Sequence, residues 1–301
     1  TVIIDMLRAT RTFCDQEGLE TNGQLFLTGY SEGGYTMMAA HKMIEEEHPE
    51  EFTITASAPG AGAYDMSGVM VDLMLSGEEY PSPFYLPYTL FAFDEYYNLW
   101  ESPSDFLKEE YATLLPPLFD GTHSSSEINA AMPAVPMEIM APDVVDAFSK
   151  DENHPLREAL RDNDLYDWAP QSPMRLFHST GDDLVPVENS RLAYETFQEN
   201  GATQVELFEC DCGTHGEAAA LLLFSGFAWI QGLTDKSQPL RVADNITPEG
   251  YSLLSVYPSP FNSSTKISFT LNERSDIKIS VLDLLGKEVE MLARGPFPAG
   301  H

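Results

Sequence analysis

The chain has 301 residues, with 48 Asp and Glu against 16 Lys and Arg, so its formal net charge is -32. A field of this sign repels a phosphate backbone and excludes a nucleic-acid binder that works by neutralising phosphates. Hydrophobic residues make up 43% and aromatic residues 11%, too many for a disordered acidic chain. We therefore expect one large folded domain, or one large and one small domain.

The longest apolar stretch, residues 218–233, contains Ser225, Gly226 and Gln231. It falls short of the roughly 18 to 20 uninterrupted apolar residues that span a bilayer, so we expect a soluble protein without a transmembrane segment. The chain begins with Thr1, already inside an apolar-periodic segment. We interpret this start as a truncation that leaves the signal peptide undefined.

The first predicted elements form a strand-helix-strand unit after an initial helix over residues 1–14. A short apolar run at 24–30 predicts a buried parallel strand, 33–45 a helix and 52–58 a second strand. Residues 65–173 interrupt this order and are rich in aromatic residues, proline and acidic groups. Such an insertion is typical of a cap over a site, and a purely decorative helical subdomain is the alternative.

Inside the insertion, the spacing predicts helices at 103–114 and 144–148, and the strand and helix order resumes after it. Residues 174–180 and 204–210 predict buried strands. Residues 188–200 and 217–233 predict helices, the second apolar on most sides and interpreted as packing into the core.

The end of the chain predicts a polar linker followed by a separate β module. Residues 234–253 are polar with scattered proline, which is typical of a linker. Residues 266–271 and 276–286 alternate with period two, and GKEVEML follows them. We expect a small β module over 254–301, which ends without a closing strand and is therefore also truncated.

Gly29-Tyr30-Ser31-Glu32-Gly33 matches the pattern G-x-S-x-G at the point where a buried strand passes into a helix. That sharp turn exposes Ser31 at the carboxyl end of the strand, and the glycines keep side chains out of a crowded backbone. The backbone N–H of Glu32, at the positive end of the following helix, is placed to stabilise an oxyanion. The pattern predicts a serine nucleophile.

A serine nucleophile needs a histidine base and a carboxylate that orients it. The strand at 174–180 is followed by Asp182 and Asp183, and the strand at 204–210 is followed by a small-residue loop with His215. The carboxyl ends of parallel strands build the sites of open α/β folds. We predict Ser31, Asp182 and His215 as catalytic residues, with Asp183 as the alternative acid.

The motifs GYSEGG, HSTGDDLVP and CGTHG, in this order, resemble those of α/β-hydrolases over residues 1–233. The resemblance implies the C-terminal half of a mostly parallel sheet with a helical cap. In relatives, the acid of the triad is the aspartate of an H-G-x-x-D-x-x-V-P motif. This aspartate corresponds to Asp182 here, and Ser179 replaces the glycine of the motif. The cap is most similar to that of secreted lipase-like esterases, and the prolyl-oligopeptidase-like group shares the last motifs.

The same resemblance implies that part of the site lies outside this sequence. Family members supply a second oxyanion N–H from a loop after their third strand, whereas this chain starts at the helix before the nucleophile strand. Losing one such donor typically costs about 100- to 1000-fold in turnover. We therefore expect the fragment to be impaired or inactive and its nucleophile strand to be an exposed edge.

The β module resembles the C-terminal sorting domain of the type IX secretion system. The resemblance rests on YPSPFNSSTKISFTL at 257–271, SVLDLLGKEV at 280–289 and the final Pro-Ala-Gly-His. It implies the type IX secretion machinery as a partner and a secreted or surface-attached enzyme. A generic β-sandwich stalk is the alternative.

The remaining candidates favour structural roles. We interpret His41 as a packed or rim histidine, and expect His48, His123 and His154 in solvent-like acidic contexts. For Cys14, Cys210 and Cys212, a bridge to Cys14 or to missing sequence and three free thiols remain open. No phosphate loop, dinucleotide motif, calcium loop or zinc-spaced cluster is present, so we expect no metal site and no cofactor.

We predict a secreted serine hydrolase that cleaves carboxylic esters, small-molecule or lipid. Six aromatic residues of the cap suggest an apolar acyl or aryl group, although they can equally form the cap core: Tyr80, Phe84, Tyr85, Tyr88, Phe91 and Phe93. A serine peptidase of the prolyl-oligopeptidase type and a non-catalytic surface-displayed binding protein are the alternatives.

Overall fold

The computed structural model describes residues 2–235, 241–242, 251–257, 266–271, 274–282 and 288–300. The chain divides into two compact units. The first comprises residues 1–10 and 22–237, and the second comprises residues 11–21 and 238–301.

The elements before the insertion are α1 (Val2–Glu17), β1 (Leu19–Glu20), β2 (Phe26–Tyr30), α2 (Glu32–Glu47) and β3 (Ala56–Gly60). The insertion contains α3 (Val69–Leu75), α4 (Tyr85–Tyr97), α5 (Glu109–Leu114), α6 (Ser125–Ala130), α7 (Pro142–Lys150) and α8 (Pro155–Arg161). It also contains 3-10 turns at Pro103–Asp105, Pro116–Leu118 and Pro136–Ile139. The elements after it are β4 (Met174–Ser179), α9 (Glu188–Glu199), β5 (Val205–Cys210), α10 (His215–Leu233), β6 (Arg241–Val242), β7 (Tyr251–Tyr257), β8 (Lys266–Leu271), β9 (Ser275–Leu282) and β10 (Glu288–Phe297).

The first unit is built on a four-stranded parallel sheet in the order β2-β3-β4-β5. This confirms the predicted α/β class with its parallel sheet. Because all four strands run the same way, their carboxyl ends meet at one edge of the sheet. Within the described residues β2 pairs with β3 alone and forms one side of the sheet.

Strand β3 differs from the predicted strand at 52–58. The β-favouring residues Phe52 and Ile54 are buried before the strand begins, and the Phe52 N–H still donates to the His48 carbonyl at the end of α2. The strand itself is the small-residue run ASAPG, buried throughout. The predicted strand is confirmed over residues 56–58, and its bounds were wrong because close packing of helices against this strand, rather than β propensity, selects its residues.

Glycines allow α2 to approach the sheet. A Cβ atom added to Gly34 would lie 2.2 Å from the Gly60 carbonyl oxygen, and one added to Gly29 would lie 2.3 Å from the Gly33 oxygen. A Cβ atom on Gly33 meets nothing within 4 Å. Steric exclusion therefore operates at the first glycine of the motif and at Gly34, and not at Gly33.

Helix α10 packs on β2, β3 and β4 through one face. The buried residues of that face recur at four-residue intervals: Ala218, Leu222, Gly226 and Ile230. Leu221, Phe224 and Phe227 are exposed on this helix, so the predicted core packing holds for one side only. Among the described residues, α10 is the one helix long and apolar enough to cross a bilayer, a weak indication that core helices also give.

The insertion has a hydrophobic core of its own, which includes Leu90, Leu107, Ile139 and Phe148. The predicted helix at 103–114 is broken because Leu107 forms a β-bridge with Met140 and is buried there. The remaining part of the prediction, 144–148, lies within α7.

The exposed setting predicted for His154 is wrong. The residue is 9% exposed, its ring packs edge-on against Phe106 and Phe148, and its Nδ1 accepts the Leu156 N–H at the start of α8. The acidic neighbours in the sequence hide this inward orientation, and burial lowers the pKa of His154.

The second unit carries antiparallel pairs, β7 with β8 and β9 with β10, and β1 pairs with β6. Strand β8 covers the predicted 266–271. Strand β7 begins at Tyr251, inside the predicted linker, because Tyr251 pairs with Leu271. Most other linker residues, and the motif residues at 258–265 and 283–287, lie outside the described residues.

A buried polar network joins α2 to β3 and to the end of the insertion. The ring of His41 is 0% exposed, with Nδ1 2.8 Å from Ser57 Oγ and Nε2 2.9 Å from Glu45 Oε1. Glu45 also accepts the backbone N–H groups of Gln171 and Ser172, each at 2.8 Å. His41 is therefore a packed histidine, as predicted.

The network sets the ionisation of Glu45. Burial alone would raise its pKa, but the hydrogen bonds from His41 and from the two amides outweigh burial and lower the pKa to about 2. A carboxylate with a lowered pKa stabilises the fold above its unfolded pKa of about 4.5, and this contribution disappears as the pH falls towards 2.

We expect Glu45→Gln to lower the free energy of unfolding by about 1–3 kcal/mol at pH 7, because hydrogen bonds to a buried charge are lost. The difference from the native chain should shrink as the pH falls from about 4.5 to 2. Urea unfolding across this pH range measures both effects. Glu46→Gln, at the exposed neighbouring position, is the control, and an equal loss in the two variants would contradict the network.

We expect Gly34→Ala to lower the free energy of unfolding by at least about 2 kcal/mol, because its Cβ atom meets the backbone of Gly60. Gly33→Ala should be neutral or stabilise the fold by up to about 1 kcal/mol, since the added methyl group enters open space. Urea midpoints of the two variants give the comparison. The reverse ranking would show that α2 does not dock as described.

Candidate active site

Ser31 lies in the turn between β2 and α2 with backbone angles φ 60° and ψ -125°. Such angles cost a non-glycine residue about 1–3 kcal/mol and persist only where the surroundings impose them. Here the Ser31 N–H donates to the Gly60 carbonyl at 2.9 Å, and the Ser31 carbonyl accepts the Tyr35 N–H at 3.0 Å. The hydroxyl makes no capping bond to α2, although serine at this position usually caps its helix.

Asp182 lies in the turn after β4 with both carboxylate oxygens occupied. Its Oδ2 is 2.7 Å from His215 Nδ1, and its Oδ1 accepts the N–H groups of Leu184 and Val185 at 3.0 and 2.8 Å. The side chain is 0% exposed. Burial alone would raise its pKa, but hydrogen bonds from His178 and His215 outweigh burial and hold the pKa well below its usual range.

The two neighbouring aspartates contact different parts of His215. Asp183 Oδ1 accepts the backbone N–H of His215 at 3.0 Å, whereas Asp182 contacts its ring. The structure therefore brings Asp182, and not the alternative Asp183, to the imidazole. Both contacts hold the start of α10 against the turn after β4.

His215 is the first residue of α10, and several contacts fix its position. Thr214 and Glu217 form a capping box at the start of the helix. The Gly213 carbonyl accepts the Ser179 hydroxyl at 2.6 Å, and the Tyr30 hydroxyl donates to the His215 carbonyl at 2.7 Å. His215 is 7% exposed, and its ring stacks against Tyr30 with centroids 4.9 Å apart.

Ser31 and His215 line one cavity of about 330 Å³. Among the described residues no hydrogen bond joins their side chains, and such bonds are often long before a substrate binds. Glu32, whose backbone N–H is the predicted oxyanion donor, also lines the cavity as the first residue of α2. It belongs to the first turn, whose N–H groups lack carbonyl partners within the helix.

Helices α3 and α4 of the insertion supply most of the apolar wall of this cavity. Tyr80, Tyr85, Tyr88 and Phe93, four of the six aromatic residues singled out in the sequence, line it. Phe91 packs instead in the core of the insertion against Trp100 and Phe119, and Phe84 stacks on Tyr85. The insertion thus covers the cavity and also has a core, so both interpretations of its aromatic residues hold in part.

Sequence reasoning missed several residues of the cavity wall. Met66, Met70 and Met74 line it, and their four-residue spacing around α3 is the signal that could have identified them. Tyr80 connects this wall to the turn after β4, because its hydroxyl donates to the Leu184 carbonyl at 2.9 Å. No sequence signal could have revealed that contact.

The cysteines follow neither of the expected alternatives. Cys210 and Cys212 form a disulfide with each other, with Cα atoms 5.3 Å apart, and Cys14 is free. That separation lies within the range a disulfide spans, so the extended backbone at the end of β5 permits a bridge across one residue. The disulfide lies three residues before His215.

Two family models match this chain. Residues 1–240 match the family model of secretory lipases, and residues 255–294 match that of the secretion system C-terminal sorting domain. No curated protein matches the sequence. The sorting-domain match confirms the resemblance of the β module, and the two matches indicate a secreted or surface-attached protein.

Solved structures are similar to the first unit. The rice cell wall degrading esterase LipA from Xanthomonas oryzae is 29% identical with a TM-score of 0.67, over 77% of this chain and 63% of that one. A protein from Legionella pneumophila provisionally described as a hydrolase is 28% identical with a TM-score of 0.70, over 78% and 63%. Candida antarctica lipase A shares the fold at 16% identity and a TM-score of 0.57, over 78% and 54%.

The chain thus spans less than two thirds of the length of LipA. The match to the lipase family model nevertheless extends over most of the chain and includes the turns that carry Ser31, Asp182 and His215. On this match, the chain belongs to the secretory lipase family.

Proposed function

We propose that this protein hydrolyses carboxylic esters with Ser31 as nucleophile, His215 as general base and Asp182 as the group that orients His215. The observation that carries the proposal is the 2.7 Å contact between Asp182 Oδ2 and His215 Nδ1 beside a cavity that Ser31 also lines. The esterase and lipase descriptions of the similar structures support the same reaction class.

The geometry fits the proton transfers of such a reaction. Because Asp182 accepts from Nδ1, the lone pair of the neutral His215 ring lies on Nε2. Nε2 takes the proton of Ser31 Oγ as this oxygen bonds to the ester carbonyl carbon, and it returns the proton to the alcohol when the C–O bond breaks. Water then repeats the attack on the acyl-enzyme and releases the acid.

Negative charge develops on the carbonyl oxygen of the substrate in this reaction. The backbone N–H of Glu32 lies next to Ser31 in the first turn of α2, where the helix dipole favours an anion. We assign it the role of oxyanion donor. The assignment needs no metal and no cofactor.

The cavity indicates an apolar group on the substrate. Its wall consists largely of methionine, leucine and tyrosine side chains from the insertion, which suit an acyl or aryl chain. A volume of about 330 Å³ fits a small ester or part of a lipid. We therefore propose a small-molecule or lipid ester as the substrate.

The sorting-domain match at residues 255–294 supports export through the type IX secretion machinery, which we propose as the partner of the β module. The ester substrate would then lie outside the cell.

We expect Ser31→Ala, made in the full-length protein, to lose ester turnover by several orders of magnitude, because no other hydroxyl occupies the turn after β2. Hydrolysis of p-nitrophenyl esters from butyrate to palmitate measures the loss, and a fluorophosphonate probe located by peptide mapping should modify Ser31. Ser225→Ala, at a half-buried position where the hydroxyl donates to the Leu221 carbonyl of the same helix, is the control. Unchanged turnover in Ser31→Ala, or turnover of matched amides alone, would contradict the proposal.

We expect Asp182→Asn to lower kcat by roughly 1000- to 10 000-fold, because an amide can hold the wrong tautomer of His215. Asp183→Asn is the matched comparison. Its side-chain oxygen can still accept the backbone N–H of His215, so we expect a loss below about tenfold. Equal losses in the two variants would overturn the assignment of Asp182 as the orienting acid.

A further inference from the structure

A second histidine lies against the carboxylate of Asp182. His178, in β4, is 0% exposed and takes no part in the proton transfers above. Its Nε2 is 2.9 Å from the Val185 carbonyl oxygen and 3.4 Å from Asp182 Oδ2, and its Nδ1 is 2.7 Å from Ser190 Oγ on α9. The ring thus connects the turn that carries the acid to the helix behind it.

These neighbours determine the tautomer of His178. A carbonyl oxygen only accepts, so Nε2 must carry the hydrogen that it donates to the Val185 carbonyl, and Asp182 Oδ2 lies 3.4 Å from the same nitrogen. Nδ1 then holds the lone pair and accepts the hydroxyl hydrogen of Ser190. Both nitrogens of a neutral ring have partners, as buried polar groups require.

We propose that His178 is a positioning residue that holds Asp182 Oδ2 in line with His215, an inference that rests on the proposed ester hydrolysis. Oδ2 receives the His215 Nδ1 hydrogen on one side and faces the His178 Nε2 hydrogen on the other. Val185 is held at both ends, because its N–H donates to Asp182 Oδ1 and its carbonyl accepts from His178. Ser190 acts through His178 by fixing the direction of its donor.

The other groups around His178 leave Asp182 as its direct charged neighbour. Glu209, its register partner on β5, is ion-paired with Arg191 on α9 at 2.7 Å. Strand β3, on the other side of β4, has the sequence ASAPG and holds no titratable residue. His215 lies beyond the carboxylate of Asp182. The positive end of the His178 N–H dipole therefore offsets part of the negative charge of Asp182, which would otherwise act on His215 in full.

The chain contains a matched control for this arrangement. His41 is also 0% exposed and also pairs its Nδ1 with a serine hydroxyl, Ser57 Oγ at 2.8 Å. Its Nε2 faces Glu45 instead of Asp182. Ser190→Ala and Ser57→Ala therefore each remove one buried serine-histidine hydrogen bond. The first histidine lies against Asp182 and the second against Glu45, so only Ser190→Ala should disturb the position of Asp182.

The test compares Ser190→Ala, Ser57→Ala, His178→Leu and His178→Gln in the full chain. We expect Ser190→Ala to lower kcat about fivefold, the equivalent of one ordinary hydrogen bond, and His178→Leu up to about 100-fold. In both, the acid limb of the pH profile of kcat/KM should move up by about half a pH unit. His178→Gln, whose amide can still donate, should recover most of kcat, and Ser57→Ala should match the native profile.

A second readout does not depend on turnover. In proton NMR spectra, the Nδ1 hydrogen of His215 bonded to Asp182 should shift in Ser190→Ala and stay unchanged in Ser57→Ala. Urea midpoints should fall to a similar extent in the two serine variants, since each loses one buried bond. Equal changes in kcat, or an unshifted His215 hydrogen in Ser190→Ala, would show that His178 is merely structural.

The two readouts separate this inference from the proposed function. If the native chain shows no ester turnover while the His215 hydrogen responds to Ser190→Ala, ester hydrolysis fails and the positioning of Asp182 stands. If turnover depends on Ser31 while neither kcat nor the His215 hydrogen responds to Ser190→Ala or His178→Leu, ester hydrolysis stands and the role of His178 fails.

Discussion

The close approach of α2 to β3 is the constraint on which the site depends. With hydrogen atoms alone at Gly29 and Gly34, the helix backbone reaches the carbonyl of Gly60, which also accepts the Ser31 N–H. This contact holds Ser31 at φ 60°, an angle that the residue would not adopt unaided. A sheet of four parallel strands then brings the turns after β4 and β5 to the same edge.

The turn after β4 is stabilised from several directions. Asp182 accepts two amide N–H groups of its own turn and the ring N–H of His215 from α10, and the His178 ring nitrogen lies 3.4 Å from its Oδ2. Such a set of donors keeps a buried carboxylate ionised, because the hydrogen bonds outweigh the cost of burial. An ionised acceptor is what a histidine base requires if its Nε2 is to receive a proton.

The insertion combines two functions that the sequence could not separate. Its own core, with Leu90 and Phe148 fully buried, makes it a folded cap, while α3 and α4 present methionine and tyrosine side chains to the cavity. The Tyr80 hydroxyl connects this wall to the turn that carries Asp182 by donating a hydrogen bond to the Leu184 carbonyl. The shape of the cavity therefore depends on a part of the chain that carries none of the proposed catalytic groups.

The sequence by itself determined the α/β class, the three turns with Ser31, Asp182 and His215, and the sorting module, because each rests on local periodicity and on motifs at strand ends. The tertiary structure decided what depends on contacts between distant segments. Helix packing selects the small residues of β3. Asp182 contacts the ring of His215, whereas Asp183 contacts its backbone N–H. The side chain of His154 is buried and not exposed. The tertiary structure also placed His178 against Asp182 through Ser190, a contact between β4 and α9 that no spacing encodes.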